Sequence, residues 1–364
     1  MRVVVAPDKF AGTMSAVEAA AAIRTGWLRR VPDTDVVEVP MSDGGPGFVE
    51  VLHAALGGTL VAVTVSDPYG EPVPATILRV GDTAYVESAD AVGLHLTAPP
   101  DRRPLLASSR GLGELVRAAV EDGASRVVVG AGGTATNDGG AGLLSALGAT
   151  AEGADLDQGP EALAGLRAVD VTAARSTVAG VDLVLASDVD NPLLGLVGAT
   201  KTYGPQKGLT EEQLLTVDAR LQLFAELTDR KLAAQKGAGA AGGIGYALLL
   251  LGAERRPGVD VVAEAVDLAG RLRGADLVIT GEGAFDFSSR SGKVPYGVAQ
   301  VATGRLVPCI ALAGQVLVGS REMRALGIEA AYSVVDRVGE QRAFAEPAAS
   351  LAELAERVAR TWGR

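Results

Sequence analysis

Arg126-Val127-Val128-Val129-Gly130-Ala131-Gly132-Gly133-Thr134-Ala135-Thr136-Asn137-Asp138-Gly139-Gly140-Ala141-Gly142 is the stretch on which the architecture turns. The three valines read as a strand, and Leu143 to Leu147 resumes at helical spacing. Between them the chain carries almost no bulky side chain. A strand, a glycine loop and a helix in succession make the βα unit of an α/β protein. The apolar run does not alternate, which suits a sheet covered on both faces.

The same shape recurs along the chain. Arg2-Val3-Val4-Val5-Ala6-Pro7-Asp8, Val36-Val37-Glu38-Val39-Pro40, Leu183-Val184-Leu185-Ala186, Leu277-Val278-Ile279-Thr280 and Cys309-Ile310-Ala311-Leu312 are each followed by small or acidic residues. A site at the carboxyl ends of parallel strands needs such residues. Helical patterns lie between the strands. Ser15 with Glu18 and Thr210 with Gln213 form capping boxes, the second opening a helix to about Leu227. From Thr59 to Glu87 three short strand patterns follow with no room for a helix, and Gly81-Asp82 suits a two-residue hairpin turn. This predicts an α/β protein of two α/β domains. Residues 1–57 and 260–364 form a discontinuous Rossmann-like domain with a mostly parallel sheet. Residues 58–259 form a mixed one with antiparallel hairpin strands and the glycine loop.

Composition excludes several classes. A hydrophobic share of 48% with 21% charged residues rules out disorder. The net charge of −11 is the wrong sign for a nonspecific nucleic-acid binder, although it leaves room for a locally positive pocket. Cys309 is the single cysteine and sits in a buried-strand pattern, as core filler; no intramolecular disulfide exists. His53 and His95 cannot build a His-rich zinc site and stand apart from any serine or cysteine partner. The opening residues do not read as a signal peptide, and no apolar run approaches a membrane span. No membrane association and a cytoplasmic location are therefore the expectation.

Glycine, at 47 of 364 residues, is about twice as frequent as usual and is clustered. Successive small residues let backbone N–H groups converge on an anion, and a helix N-terminus adds a favourable field. The loop therefore suits phosphate. It also matches a dinucleotide fingerprint, Gly130-x-Gly132-x-x-Ala135, which keeps a nicotinamide-dependent oxidoreductase open as an alternative. Gly292-Lys293-Val294 is no Walker A motif. Carboxylates close four strands or their loops, at Asp8, Asp43, Asp188 and Glu282, and Asp138 and Asp286 lie in glycine-rich turns. Lys9, Lys207 and Lys293 stand beside glycine or acidic turns. Phosphoryl transfer needs this combination: an acid to take the proton of the attacking hydroxyl, and cations for developing negative charge.

The strings Ala6-Pro7-Asp8-Lys9-Phe10, Met41-Ser42-Asp43-Gly44-Gly45, Gly132 to Gly142, Ser187-Asp188-Val189-Asp190-Asn191-Pro192-Leu193, Tyr203-Gly204-Pro205-Gln206-Lys207-Gly208, Gly237 to Gly243 and Gly281-Glu282-Gly283 with Gly292-Lys293-Val294-Pro295 occur in this order. Together they resemble the bacterial glycerate kinase family, type I, over nearly the whole chain. The resemblance implies a two-domain enzyme with its site in the cleft between domains. It implies transfer of the ATP γ-phosphate to a hydroxyl of D-glycerate, giving 2-phosphoglycerate, with Mg²⁺. Carried onto this chain, Asp188 is the base and Lys293 a catalytic cation. Asp8, Lys9, Asp43, Gly44, Gly45, Glu282 and Asp286 face the substrate. Gly132, Gly133, Thr134, Thr136, Asn137, Asp138, Lys207, Gly239 and Gly242 hold the nucleotide. Metal ligands are unassigned, because a Mg²⁺ ion that keeps several waters imposes no fixed ligand spacing.

Five positions depart from the family's pattern. Ala11 stands for a lysine, Pro46 and Phe48 for Glu and Thr, and Ser288 and Ser289 for a Gln-Thr pair. A missing lysine removes one cation and a phenylalanine narrows or dries a pocket. A kinase for another small hydroxy acid, or a non-catalytic metabolite sensor, therefore stays open beside glycerate kinase.

Overall fold

The computed structural model describes residues 1–10, 12–286 and 293–363. Two compact units divide the chain: Met1–Asp43, Glu50–Gly57 and Gly258–Arg364 form the first, and Gly44–Val49 with Gly58–Pro257 the second.

The first unit is built on five parallel strands in the order Ala330–Ser333, Cys309–Ala313, Leu277–Gly281, Arg2–Pro7 and Asp35–Glu38. Side chains alternate across a strand, so a run such as Val3-Val4-Val5 is stable only if both faces are covered. Both are. Val3, Val5, Ile279, Ile310 and Leu312 share one core with Ile23 and Trp27 of the Ala16–Arg30 helix and Leu351 and Leu354 of the Pro347–Trp362 helix. The Val294–Gly304 helix packs against the same strands with Val294, Val298 and Ala299 buried. Each fully buried valine or leucine contributes roughly 1.5–3 kcal/mol, which is why these runs define the unit. The Ser15–Glu18 capping box opens the first helix as the sequence predicts. Cys309 is buried in its strand, and burial, helped by Glu329, pushes its thiol up to about 12; it is core filler.

The second unit holds six strands in the order Glu254–Arg256, Asp182–Ala186, Arg126–Gly130, Thr83–Glu87, Pro72–Val80 and Thr59–Ser66. The first four run parallel, and the last two join antiparallel at the edge. The hairpin turns at Gly81-Asp82, where Val80 pairs with Thr83 and Gly81 takes φ +58°. The Thr210–Gln213 capping box opens the helix Glu211–Leu227. Among the described residues no helix is long and apolar enough to cross a membrane.

Two boundaries differ from the sequence reading, the smaller at Gly258 and Val259, which fall in the first unit. Gly44–Val49, read as part of the terminal domain, packs with the second unit. The cause is a carboxylate far along the chain: Glu87, at the end of its strand, accepts hydrogen bonds from the backbone N–H of Gly47 at 3.0 Å and of Val49 at 3.3 Å. Phe48 is fully buried and meets Tyr85 edge-on, with ring centroids 6.1 Å apart.

Candidate active site

Acids and lysines gather at the carboxyl ends of two neighbouring strands of the first unit. Asp8 follows the strand Arg2–Pro7 directly and is 6% exposed. Its N–H donates to the carbonyl of Gly281, and its carboxylate accepts the N–H of Lys9 at 2.7 Å. The Lys9 ammonium stands 3.9 Å from Asp8 Oδ1 and 3.6 Å from Asp43 Oδ1. Glu282 follows the strand Leu277–Gly281 and is 6% exposed. Lys293 Nζ lies 3.7 Å from its Oε2 and 3.9 Å from Asp286 Oδ1. Burial drives the Asp8 carboxyl up to about 7; Lys9 opposes the shift, and Asp43 and Glu282 add to it. Asp8 is therefore a carboxyl that exchanges its proton near neutrality, among acids that are acceptors for hydroxyl groups and ammonium groups that attract carboxylate.

The glycine loop of the second unit is held from several sides. Ala131 N–H donates to the carbonyl of Ala186 on the next strand, and Ser88 Oγ accepts the N–H of Gly132. Gly44 and Gly45 lie directly on it: a Cβ on Gly44 would meet the carbonyl oxygen of Ala186 at 2.5 Å, and one on Gly132 would meet Cα of Gly45 at 2.9 Å. Backbone comes this close only where side chains are absent. Asp138 is completely buried, and its carboxylate accepts from Ser109 N–H and Oγ–H, both at 2.8 Å, from Gly140 N–H at 3.0 Å and from Gly142 N–H at 3.2 Å. Burial raises its pKa and these bonds oppose the rise. Two of these bonds come from its own loop and two from Ser109, which makes Asp138 the clasp that ties the loop to the start of the Arg110–Glu121 helix.

Lys207 is also buried. Its ammonium donates to the carbonyl oxygen of Thr136 at 2.6 Å and lies 3.5 Å from Thr134 Oγ1. Burial lowers its pKa to about 7, against the attraction of Asp138. Asn137 Nδ2 donates to Thr200 Oγ1 at 2.9 Å. Asn137 Oδ1 and Thr136 Oγ1 are buried without a partner among the described residues. The loop N–H groups of Gly133, Thr134, Thr136 and Asn137 likewise donate to nothing described. Unused donors beside a buried cation fit an anionic group. Gly242 packs under the same loop, Gly239 three residues earlier donates its N–H to the carbonyl of Asn191, and Gly139 N–H donates to the carbonyl of Gly242. Asp188 is half-buried just beyond the strand Asp182–Ala186, next to Ser187, whose Oγ accepts the N–H of Val189.

The structure thus groups the site residues by unit: Asp8, Lys9, Asp43, Glu282, Asp286 and Lys293 in the first, the remainder in the second. Sequence reasoning missed Glu87, Ser88 and Ser109, which shape the loop and the Gly44–Val49 segment. Glu87 carried a readable signal, an acid closing an apolar strand. The two serines carried none, because their hydrogen bonds join distant parts of the chain. The expected effect of Phe48 on a pocket is corrected: the ring is buried beneath Gly130, where an added Cβ would meet it at 2.7 Å. Pro46 similarly packs on Gly133. The departures at Ala11, Ser288 and Ser289 lie outside the described residues.

A family model described as the glycerate kinase family matches residues 3–363. The chain belongs to the glycerate kinase family. It is 43% identical over 345 residues to a glycerate kinase of Bacillus subtilis (strain 168), covering 92% of this chain and 90% of that protein. It is 41% identical over 349 residues to a glycerate 2-kinase of Escherichia coli (strain K12), covering 93% and 92%. A crystal structure provisionally designated glycerate kinase 2 from Salmonella typhimurium LT2 superposes with a TM-score of 0.83 at 38% identity, over 99% of this chain and 98% of that one. As a glycerate kinase family member the chain is a kinase that uses ATP. The dinucleotide fingerprint is set aside on the loop's own geometry: the following helix opens only at Ala141, so Gly130 to Ala135 lack the helix N-terminus such a motif needs.

Proposed function

We propose that this chain transfers the γ-phosphoryl group of ATP to a hydroxyl of D-glycerate, giving 2-phosphoglycerate. The observation that carries the reading is full-length family membership in a chain that holds both an acid–lysine cluster and a loop whose N–H groups donate to nothing among the described residues. In this reading Lys9 and Lys293 take the substrate carboxylate, and the neighbouring acids orient its hydroxyls by accepting from them. The N–H groups of Gly133, Thr134, Thr136 and Asn137 receive the phosphate tail. Asp138, Lys207, Gly239 and Gly242 hold that loop in shape. Asp188 takes the proton of the attacking hydroxyl. ATP is used with Mg²⁺. Among the described residues no group of three or more acidic, histidine or cysteine side chains is arranged to hold a metal. Mg²⁺ would neutralise charge on the phosphates, and no protein ligand is assigned to it.

A second assignment of the base has its own support. Asp8 is buried at a strand end with its pKa near 7, where a general base works best. The two are separable. If Asp188 is the base, Asp188→Asn costs orders of magnitude in kcat and Asp8→Asn chiefly raises KM for glycerate. If Asp8 is the base, the roles reverse, and kcat/KM of the native enzyme climbs with pH through about 7.

The test of the reaction is ADP release from ATP and Mg²⁺ with a panel of small hydroxy acids, with the phosphorylated carbon located by NMR. D-glycerate giving 2-phosphoglycerate is the expected result. No turnover with any hydroxy acid of the panel would sink the reading.

A further inference from the structure

A cavity of about 220 Å³ opens in the first unit over the carboxyl ends of its parallel strands. Its walls are largely apolar: Phe10, Met14, Val334 and Phe344 are among the side chains that line it, and Gln315 offers an amide. Thr13 also reaches it, but its hydroxyl proton is taken by the carbonyl of Phe10 at 2.9 Å. Gln315 is thus the side chain left with both a donor and an acceptor to present. The volume is decisive for the kind of occupant. A cavity of about 150 Å³ holds benzene, so this one has room for one or two fused rings and too little for a helix or a strand. Phe344 is 60% exposed although it forms a wall, and its helix, Glu340–Ala345, buries no residue of its own. An aromatic face left this open, beside a concave apolar surface with a single polar handle, has the make-up of a small-molecule site.

The same wall carries part of the acid–lysine cluster. Phe10 follows Lys9 in the chain, and Gly283, which also lines the cavity, follows Glu282. Gly314 N–H donates to the carbonyl of Glu282 and Gln315 N–H to that of Gly283, both at 3.0 Å, so one pair of segments holds the cavity and Glu282 together.

We propose that this cavity is a binding site for an uncharged planar ring, seated between Phe10, Met14, Val334 and Phe344 with one hydrogen-bonding edge on Gln315. Two sources of such a ring share this chemistry: the base of the nucleotide and a free aromatic compound.

The experiment is ligand-observed NMR on the full chain, with adenosine and indole as separate probes, each in competition with the other and repeated on two variants. Ala343→Phe places a ring in the cavity from the exposed helix, and Phe344→Ala removes a wall. Saturation transfer to adenosine, lost in Ala343→Phe and weakened in Phe344→Ala, supports the site with the nucleotide base as its occupant. Transfer to indole alone, with the same response to the variants, supports it with a free aromatic compound as occupant. No transfer to either probe, or transfer unchanged in both variants, overturns the proposal. Because binding is read without turnover, failure here is separable from failure of the kinase reading, on which the proposal does not rest.

Discussion

The ammonium group of Lys207 donates to the carbonyl oxygen of Thr136 at 2.6 Å, from within the protein beneath the glycine loop. A lysine in this position holds backbone, and the backbone in turn presents N–H groups.

Replacing this lysine therefore acts through the loop. Lys207→Met removes a hydrogen bond from a charged donor, worth about 1.5–3 kcal/mol. KM for ATP is expected to rise roughly tenfold or more while KM for glycerate changes little. The stability profile gives a second reading. The native pKa lies near 7 and the unfolded one near 10.5, so between these values the unfolded chain binds more protons and stability rises with pH. Denaturant melts from pH 6 to pH 10 should show this rise in the native protein and its absence in Lys207→Met.

Asp8 has the opposite sign. Its carboxyl is raised from 3.8 to about 7, so within that window the native state binds more protons and stability falls as pH rises. Asp8→Asn lacks the penalty of a buried charge. It should unfold at higher denaturant than the native protein at pH 8, with the advantage shrinking toward pH 4. Its kcat/KM for glycerate should fall about 100-fold or more in a coupled ADP assay.

Gly242 adopts φ +71°, and a Cβ there would stand 1.9 Å from the carbonyl oxygen of Thr136 and 2.8 Å from Lys207 Nζ. Gly252 adopts φ +90° with open space around the same position. Both alanine variants carry the left-handed backbone cost of roughly 1–2 kcal/mol. Gly242→Ala should lose more stability than Gly252→Ala in urea unfolding, and it alone should weaken ATP binding. Equal losses would mean that the approach of the two glycine segments is not tight.

Leu306 is a non-glycine residue at φ +57° with 93% of its surface exposed. Its side chain contributes little burial and its backbone is strained. Leu306→Gly should raise the urea midpoint by an amount equivalent to about 1 kcal/mol without changing kcat.

Much of the architecture is local in origin and could be read from the chain directly. Unbroken apolar runs such as Val3-Val4-Val5 and Leu277-Val278-Ile279 require a sheet covered on both faces, because alternate side chains point to opposite sides. The Ser15–Glu18 and Thr210–Gln213 boxes start helices through bonds that span three residues. The glycine loop could be picked out as a place of close backbone approach from the mere absence of side chains. What the linear order could not convey is burial and long-range pairing. Asp138 and Asp8 are both acids after strands. Only packing makes one a clasp that takes two bonds from Ser109 and two from its own loop, and the other a carboxyl titrating near neutrality. Lys207 reads as a loop cation until the fold seals it under Thr136, and Gly44–Val49 joins the second unit because Glu87 reaches it across 38 residues of sequence or more. The charge of a side chain is written in its type, but its desolvation and its partners depend on what the rest of the chain brings against it.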